Sequence, residues 1–300
     1  MTEGSSVLED LKQPTVLITG ATGKVGRAVI DQLKSDAHVR LLAAARTPNA
    51  ASDLGVSVVR LDFDQPETLR PALEGVDTAF LSTGYTVDML RQSKAFIDAA
   101  RHCGVKHIVH LGACGDDDTL VAHWAWHQFI ERYIEWTGLG FTHLRPEFFM
   151  QNLLGYGSRR VIVNGVINGY VGDARASWVD CDDVAAVAAA CVRDPRRHAG
   201  KTYRLGYDAK SYGEIAAVLT AVVGQPFSYR SHSPDEFLKE VLAAGGEAAY
   251  MRSVHQSHLA AAAGELPDPA PVFQNFSAIT GQSPTDWRRF AEKHRAELAY

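Results

Sequence analysis

The chain has 300 residues, 46% of them hydrophobic and 22% charged, with a formal net charge of −5. This is ordinary globular composition, long enough for one large or two modest domains with a sizeable core. The acidic balance and the lack of a Lys/Arg run exclude a nucleic-acid surface, and the longest small-apolar run, Val184 to Val192, is too short to cross a membrane. Four cysteines, Cys103, Cys114, Cys181 and Cys191, have no CxxC spacing, which predicts reduced thiols in a cytoplasmic protein. Residues 1–13 read as a polar leader without the basic and apolar regions of a signal peptide.

Thr15 to Gly26, TVLITGATGKVG, is a short aliphatic run followed by Gly20, Gly23 and Gly26 and then a helical pattern to about Ser35. Strand, glycine turn and helix in that order make a phosphate site. Gly20 permits the tight turn, Gly23 lets backbone N–H groups approach a pyrophosphate, and Gly26 lets the helix pack on the strand. The spacing is G-x-x-G-x-x-G rather than the usual G-x-G-x-x-G. Further strands are predicted at Val39 to Ala45, Val56 to Leu61, Thr78 to Leu81, His107 to Leu111 and Phe141 to Leu144. Helices are predicted from Asp64-x-x-Glu67 onward, from Val87 to Cys103 and from about Thr119 to Thr137. Alternating strands and helices predict an α/β fold with a doubly wound parallel sheet.

The rhythm changes after Pro146. Phe148-Phe149-Met150 leads to glycine-spaced short strands between Val161 and Trp178, then Asp180-Cys181-Asp182-Asp183 opens an Ala-rich helix, and Thr202 to Leu205 reads as a strand. Ser211-x-x-Glu214 and Ser233-Pro234-x-Glu236 read as capping boxes, Gly245 to Gly264 as helical, Pro267 to Pro271 as a loop, and Ser283-Pro284 as the start of a last helix running nearly to Tyr300. The expected organisation is a dinucleotide-binding domain over 14–155, with 176–206 returning to it. A smaller, mostly helical substrate cap is expected over 156–175 and 207–300, at the strand ends where open α/β sheets bind ligands.

In NAD-binding units an acidic residue about 20 positions after the glycines holds the ribose 2′-OH. Here the second strand ends in Ala43-Ala44-Ala45-Arg46, so a cation stands at that place, suited to a 2′-phosphate. This favours NADP(H), with NAD(H) second, and Lys24 in the turn adds positive charge. Arg46 also reads as a solvated loop arginine, and Asp62 either as an acceptor for the adenine amino group or as a turn former.

With these features, three further stretches carry a family likeness: His127 to Asn152 (HQFIERYIEWTGLGFTHLRPEFFMQN), Trp178 to Ala189 (WVDCDDVAAVAA) and Gly200 to Pro226. From Thr15 to about Leu298 the chain resembles the NmrA-like, atypical short-chain dehydrogenase/reductase family. That family includes quinone, dye and benzylic-ether reductases as well as NADP-sensing regulators. The resemblance implies that Gly20, Thr22, Gly23, Lys24, Val25, Gly26 and Arg46 hold the cofactor phosphates, and Asp62 with Phe63 the adenine. It further implies that Ser82, Thr83, Gly84, Gly112 and Ala113 line the ribose and nicotinamide half, with His127 near the nicotinamide ribose. Relatives often carry Ser where this chain has Gly112, so a hydroxyl that could orient substrate is missing.

None of the ten tyrosines has Lys four residues on, which excludes the Tyr-x-x-x-Lys chemistry of ordinary short-chain dehydrogenases. Hydride transfer to a quinone or activated alkene needs less proton help, and His127 is the candidate catalytic donor, expected to titrate near pH 6.5. The alternative for His127 is a structural helix histidine. His123, His127 and Glu131 share one helix face, a spacing that also suits zinc, but no metal is expected. Cys114, Trp124, Phe148, Phe149 and Tyr156 are candidates for a flat apolar substrate wall, although such aromatics also serve as core. Trp124 and Trp126 cannot both lie on His127's face, and His255 and His258 read as a solvated face. The expected function is NADPH-dependent reduction of an apolar conjugated or aromatic small molecule, such as a quinone, enone or dye. The second reading is a non-catalytic NADP(H)-sensing regulator, and a homodimer is an open assembly.

Overall fold

The computed structural model describes residues 13–155, 161–265 and 270–300. Its first half alternates β1 (Thr15–Ile18), α1 (Lys24–Leu33), β2 (Arg40–Ala45), β3 (Ser57–Arg60), α2 (Leu69–Leu73), β4 (Thr78–Leu81), α3 (Met89–His102), β5 (His107–Leu111), α4 (Ala122–Trp136) and β6 (Gly140–Pro146). After β7 (Phe148–Phe149), β8 (Ile162–Val163), β9 (Val166–Gly169) and β10 (Ala176–Val179), the chain forms α5 (Cys181–Arg193), α6 (Pro195–His198) and β11 (Lys201–Leu205). It ends with β12 (Asp208–Lys210), α7 (Tyr212–Val223), β13 (Ser228–Ser231), α8 (Pro234–Ala243), α9 (Ala248–Ala262), α10 (Phe276–Thr280), α11 (Trp287–Lys293) and α12 (Arg295–Leu298).

The central sheet has seven parallel strands in the order β11-β6-β5-β4-β1-β2-β3. Helices cover both faces, so the inner strands are buried on both sides, and β1 is buried at every residue. Side chains alternate between two cores, as the period of two requires. Val16 and Ile18 pack with Val29, Ile30 and Val184 on the α1–α5 side, and Leu17 packs with Phe96, Ile97 and Ile130 on the α3–α4 side. The strand order reverses at β1. Thr19 Oγ1 pins the reversal by accepting from Ser82 N at 2.8 Å and approaching Phe80 O at 3.0 Å, leaving a crevice at the carboxyl ends of β1 and β4.

Two three-stranded sheets, β12-β10-β7 and β13-β9-β8, and a third core around Trp178, Trp287 and Phe290 complete the second half. Ser211 forms the expected capping box with Glu214. Ser233 does not form one: its hydroxyl accepts from Asp235 N, because Pro234 sets the first turn. The helical stretch expected from Asp64-x-x-Glu67 does begin there, as a short turn over Pro66–Thr68 that runs into α2. Gln65 rather than Asp64 stands at its cap, and the Asp64 carboxylate is taken by Gln92 and Arg91. The last helix is two short pieces that begin at the Asp286 cap, because Thr285 is bound back to Asp183. The loop expected at 267–271 falls largely outside the described residues. No described helix is long and apolar enough to cross a membrane, and all four cysteines are free thiols.

Candidate cofactor and substrate cavity

Gly20 adopts φ +63°, a left-handed conformation open to glycine. The turn closes with Gly23 N–H donating to Gly20 O at 2.9 Å. A Cβ on Gly26 would lie 2.2 Å from that same oxygen, so Gly26 is required by the turn itself rather than by packing on β1. Helix α1 starts at Lys24 with no side chain capping it, which leaves its first N–H groups available to an anion.

One cavity of about 840 Å³ runs from this turn along the carboxyl ends of the strands. Gly20, Thr22, Gly23, Lys24, Val25, Gly26, Arg46, Asp62, Phe63, Ser82, Thr83, Gly84, Gly112, Ala113 and His127 all line it. So do Cys114, Trp124, Phe148 and Phe149; Tyr156 lies outside the described residues. Trp126 does not line it and packs on Tyr250 instead, as the helix geometry requires.

The cations divide their work. Lys24 Nζ donates to Gln151 O and Gly155 O, both at 3.1 Å, tying the turn to the segment after β7. Arg46 is exposed at the end of β2 and makes no ion pair among the described residues. Asp62 Oδ1 accepts from Asp64 N at 3.0 Å, which is the turn-former reading, and still lines the cavity. Gly112 has a packing reason: a Cβ there would sit 3.2 Å from Glu131 Oε1 and 3.3 Å from Leu144 O.

His127 departs from expectation. It is buried, with Nδ1 3.5 Å from His110 Nε2. Burial, with the nearby His123, pushes its pKa down to about 3 rather than 6.5. It is therefore a neutral imidazole. Glu131, one turn on, is bound on both oxygens by Arg145, Nε–Oε1 3.0 Å and Nη2–Oε2 2.6 Å. Donor atoms of His110, Glu131 and His143 lie within 4.8 Å of one another. The guanidinium on Glu131 already supplies the positive charge there.

Several lining residues carry no sequence signal of their own. Asn168, Tyr170, Tyr212, Phe237, Tyr250 and His258 come from the second half of the chain and line the same cavity. His258 corrects the solvated-face expectation: its ring lies 4.5 Å from that of Phe237, while His255 pairs with Asp235 at 2.8 Å. Glu147 follows Pro146 in the cavity wall, its carboxyl raised by burial and held by Arg204 at 3.0 Å. Cys114 beside it is a buried thiol pushed up by desolvation. His123 also lines the cavity, and its i, i+4 relation to His127 was the one available clue.

A doubly wound parallel sheet with a glycine turn at its switch point defines the dinucleotide-binding α/β class. The family model of the NmrA-like family matches residues 12–266. NAD(P)H azoreductase of Xenophilus azovorans is 30% identical over 290 residues, covering 94% of this chain and 98% of that protein. Among solved structures, the Escherichia coli NADPH-dependent quinone oxidoreductase QOR2 complexed with NADPH matches with TM-score 0.77 at 27% identity, covering 93% of this chain and 99% of that one. Triphenylmethane reductase of Citrobacter sp. complexed with NADP(H) matches with TM-score 0.77 at 25% identity, covering 94% and 99%. The chain belongs to the NmrA-like family, of the atypical short-chain dehydrogenase/reductase type.

Proposed function

We propose that this protein is an NADPH-dependent reductase that delivers hydride to an apolar conjugated or aromatic small molecule of the quinone, enone or dye type. The observation that carries the reading is one continuous cavity, which joins the glycine turn and Arg46 to an aromatic wall. Its volume is in the range of cofactor and ligand sites, roughly 300–1,000 Å³. The uncapped start of α1 and the close backbone of the turn fit a pyrophosphate, and the relatives named above are NAD(P)H or NADPH reductases. When bound, the reduced nicotinamide supplies the hydride.

The residues divide the remaining tasks. Gly20, Thr22, Gly23, Val25 and Gly26 hold the pyrophosphate, with Lys24 bracing the turn. Arg46 takes the 2′-phosphate, and Asp62 and Phe63 border the adenine. Ser82, Thr83, Gly84, Gly112 and Ala113 orient the ribose and nicotinamide half. Cys114, Trp124, Phe148 and Phe149 wall the acceptor and exclude water. His127 contacts the reacting region as a neutral N–H donor. An electron-poor acceptor stabilises much of the arriving charge itself, so this constellation suffices without Tyr-x-x-x-Lys.

The test is NADPH consumption, followed by absorbance, with a panel of quinones, enones, azo dyes and triarylmethyl cations. Turnover at a rate that depends on the acceptor is expected. Tight NADPH binding with no turnover across the panel would replace this reading by that of a cofactor-sensing regulator.

A further inference from the structure

Ser253 on α9 meets His123 at two atoms across 130 positions of sequence. Its Oγ accepts the backbone N–H of His123 at 3.0 Å and lies 2.8 Å from the ring Nδ1. Both residues are buried, at 7% and 5% exposure. A serine hydroxyl has one hydrogen to give, and Ser253 Oγ has no other hydrogen-bond partner among the described residues. If Nδ1 also carried a hydrogen, the serine hydrogen would be stranded in a buried site, which is unfavourable. Nδ1 is thus the acceptor, and the imidazole hydrogen sits on Nε2. That nitrogen makes no hydrogen bond among the described residues, and the ring borders the cavity, 5.1 Å from Tyr250 and 5.6 Å from Trp124.

We propose that Ser253 fixes His123 as the Nε2–H tautomer, and that this N–H binds a lone-pair atom of the acceptor on which negative charge grows as hydride arrives. The proposal rests on the reductase reading and narrows its substrate class to conjugated acceptors bearing such an atom: quinones, enones and azo compounds. His123 and His127 are one helical turn apart, about 5–6 Å between their Cβ atoms, so the wall offers two separate donors along one acceptor. Electrons and protons balance simply. The nicotinamide C–H bond breaks and a bond from that hydrogen to the acceptor forms; the nicotinamide is oxidised and the acceptor reduced by two electrons. The resulting anion takes its proton from water once it leaves the walled cavity. His123 shares its hydrogen throughout and loses none. Ser253 is a positioning residue and touches no substrate.

Two measurements test this on the full chain. A two-bond 1H–15N spectrum without acceptor should show His123 hydrogen on Nε2 in the wild type, and loss of that single tautomer in Ser253→Ala. Hydrogen on Nδ1 in the wild type overturns the proposal. The second measurement compares a 1,4-naphthoquinone with a triarylmethyl cation, in which hydride quenches a positive charge and no anion forms. His123→Leu should lower kcat for the quinone about 10²-fold, as loss of one donor to a developing oxyanion does. The quinone-to-cation rate ratio should fall about tenfold or more, with His123→Gln, which keeps an N–H donor, recovering part of it. NADPH affinity within about twofold of wild type reports an intact fold and cofactor site in each variant. Equal losses for both acceptors, or none, overturn the proposal while leaving the reductase reading in place. Wild-type protein that binds NADPH and reduces neither acceptor removes that reading and this proposal with it.

Discussion

At His127, desolvation rather than residue type sets the available chemistry. With its pKa held at about 3 by burial and His123, the ring is neutral over the whole physiological range. A step assisted by His127 should therefore run at a rate independent of pH from about pH 5 to 9, where an unperturbed imidazole would give a falling limb near pH 6.5. His127→Ala should lower turnover of an enone about ten- to a hundredfold, at or below the roughly 10²-fold cost of losing one hydrogen-bond donor to a developing oxyanion. Steady-state pH profiles of both proteins check this; a wild-type limb near 6.5 that vanishes in the variant would show that the ring charges. Arg46 is the contrasting residue, exposed and unpaired among the described residues while Lys24 is committed to two carbonyls. A charge-assisted hydrogen bond contributes about 1.5–3 kcal/mol, so Arg46→Ala should weaken NADPH about ten- to a hundredfold. NADH affinity should hardly change. Calorimetric titration with each cofactor decides, and equal losses would free Arg46 from the 2′-phosphate.

Among the elements, the turn from β1 into α1 separates two glycines that look alike in sequence. An alanine methyl at Gly26 would lie 2.2 Å from Gly20 O and 2.6 Å from Gly20 C, so backbone must move. Overpacking of this kind costs about 1–3 kcal/mol. Gly26→Ala should lower Tm and abolish NADPH binding together. At Gly23 the nearest atom is Gly20 O at 3.2 Å, a contact that asks for a shift of only a few tenths of an ångström where Gly26 asks for more than one. Gly23→Ala should keep the wild-type Tm and show its loss in cofactor affinity alone. Thermal melts with and without NADPH separate the two, and Gly26→Ala with wild-type values would show that the turn tolerates a side chain.

For the molecule as a whole, buried imidazoles govern the response to acid. Desolvation holds His107 and His123 at about 4, His127 and His143 at about 3, and His110 well below its ordinary value. In the unfolded chain these rings take protons near pH 6.5. Their stabilising contribution is complete above that pH and is lost as pH falls towards the folded values, each by up to about 1.4 kcal/mol per pH unit. Asp183 runs the other way. Burial raises it to about 6, so its contribution is present at low pH and lost as pH rises through that value, offsetting one histidine. Tm should fall clearly between pH 7 and pH 5. His143, stacked on Phe141 at 4.6 Å with Nδ1 unpartnered among the described residues, is the place to test it. His143→Leu should shrink the pH dependence by about one proton's worth. A flat Tm over this interval would mean that the buried rings protonate in the folded protein.

Local chemistry explains what the sequence by itself determined. The strand–turn–helix at Thr15 to Leu33, the strands of the central sheet, the Ser211 cap and the cationic end of β2 depend on neighbours within a few positions. Period-two burial, left-handed glycine and side chain-to-backbone capping act over that range. The end of the cavity proposed for the cofactor could be read from the sequence for the same reason, since one turn and four strand ends line it. The end proposed for the acceptor could not. His123 meets Ser253 across 130 positions, Glu147 meets Arg204 across 57, and His258 reaches the wall from a stretch whose composition suggested only a helix. Gly112 looked like a missing hydroxyl, and the structure adds that a Cβ there would press on the Glu131 carboxylate at 3.2 Å and on Leu144 O at 3.3 Å. Such contacts, and the protonation states they impose, follow from which surfaces lose water when distant elements pack, and only the tertiary structure decides that.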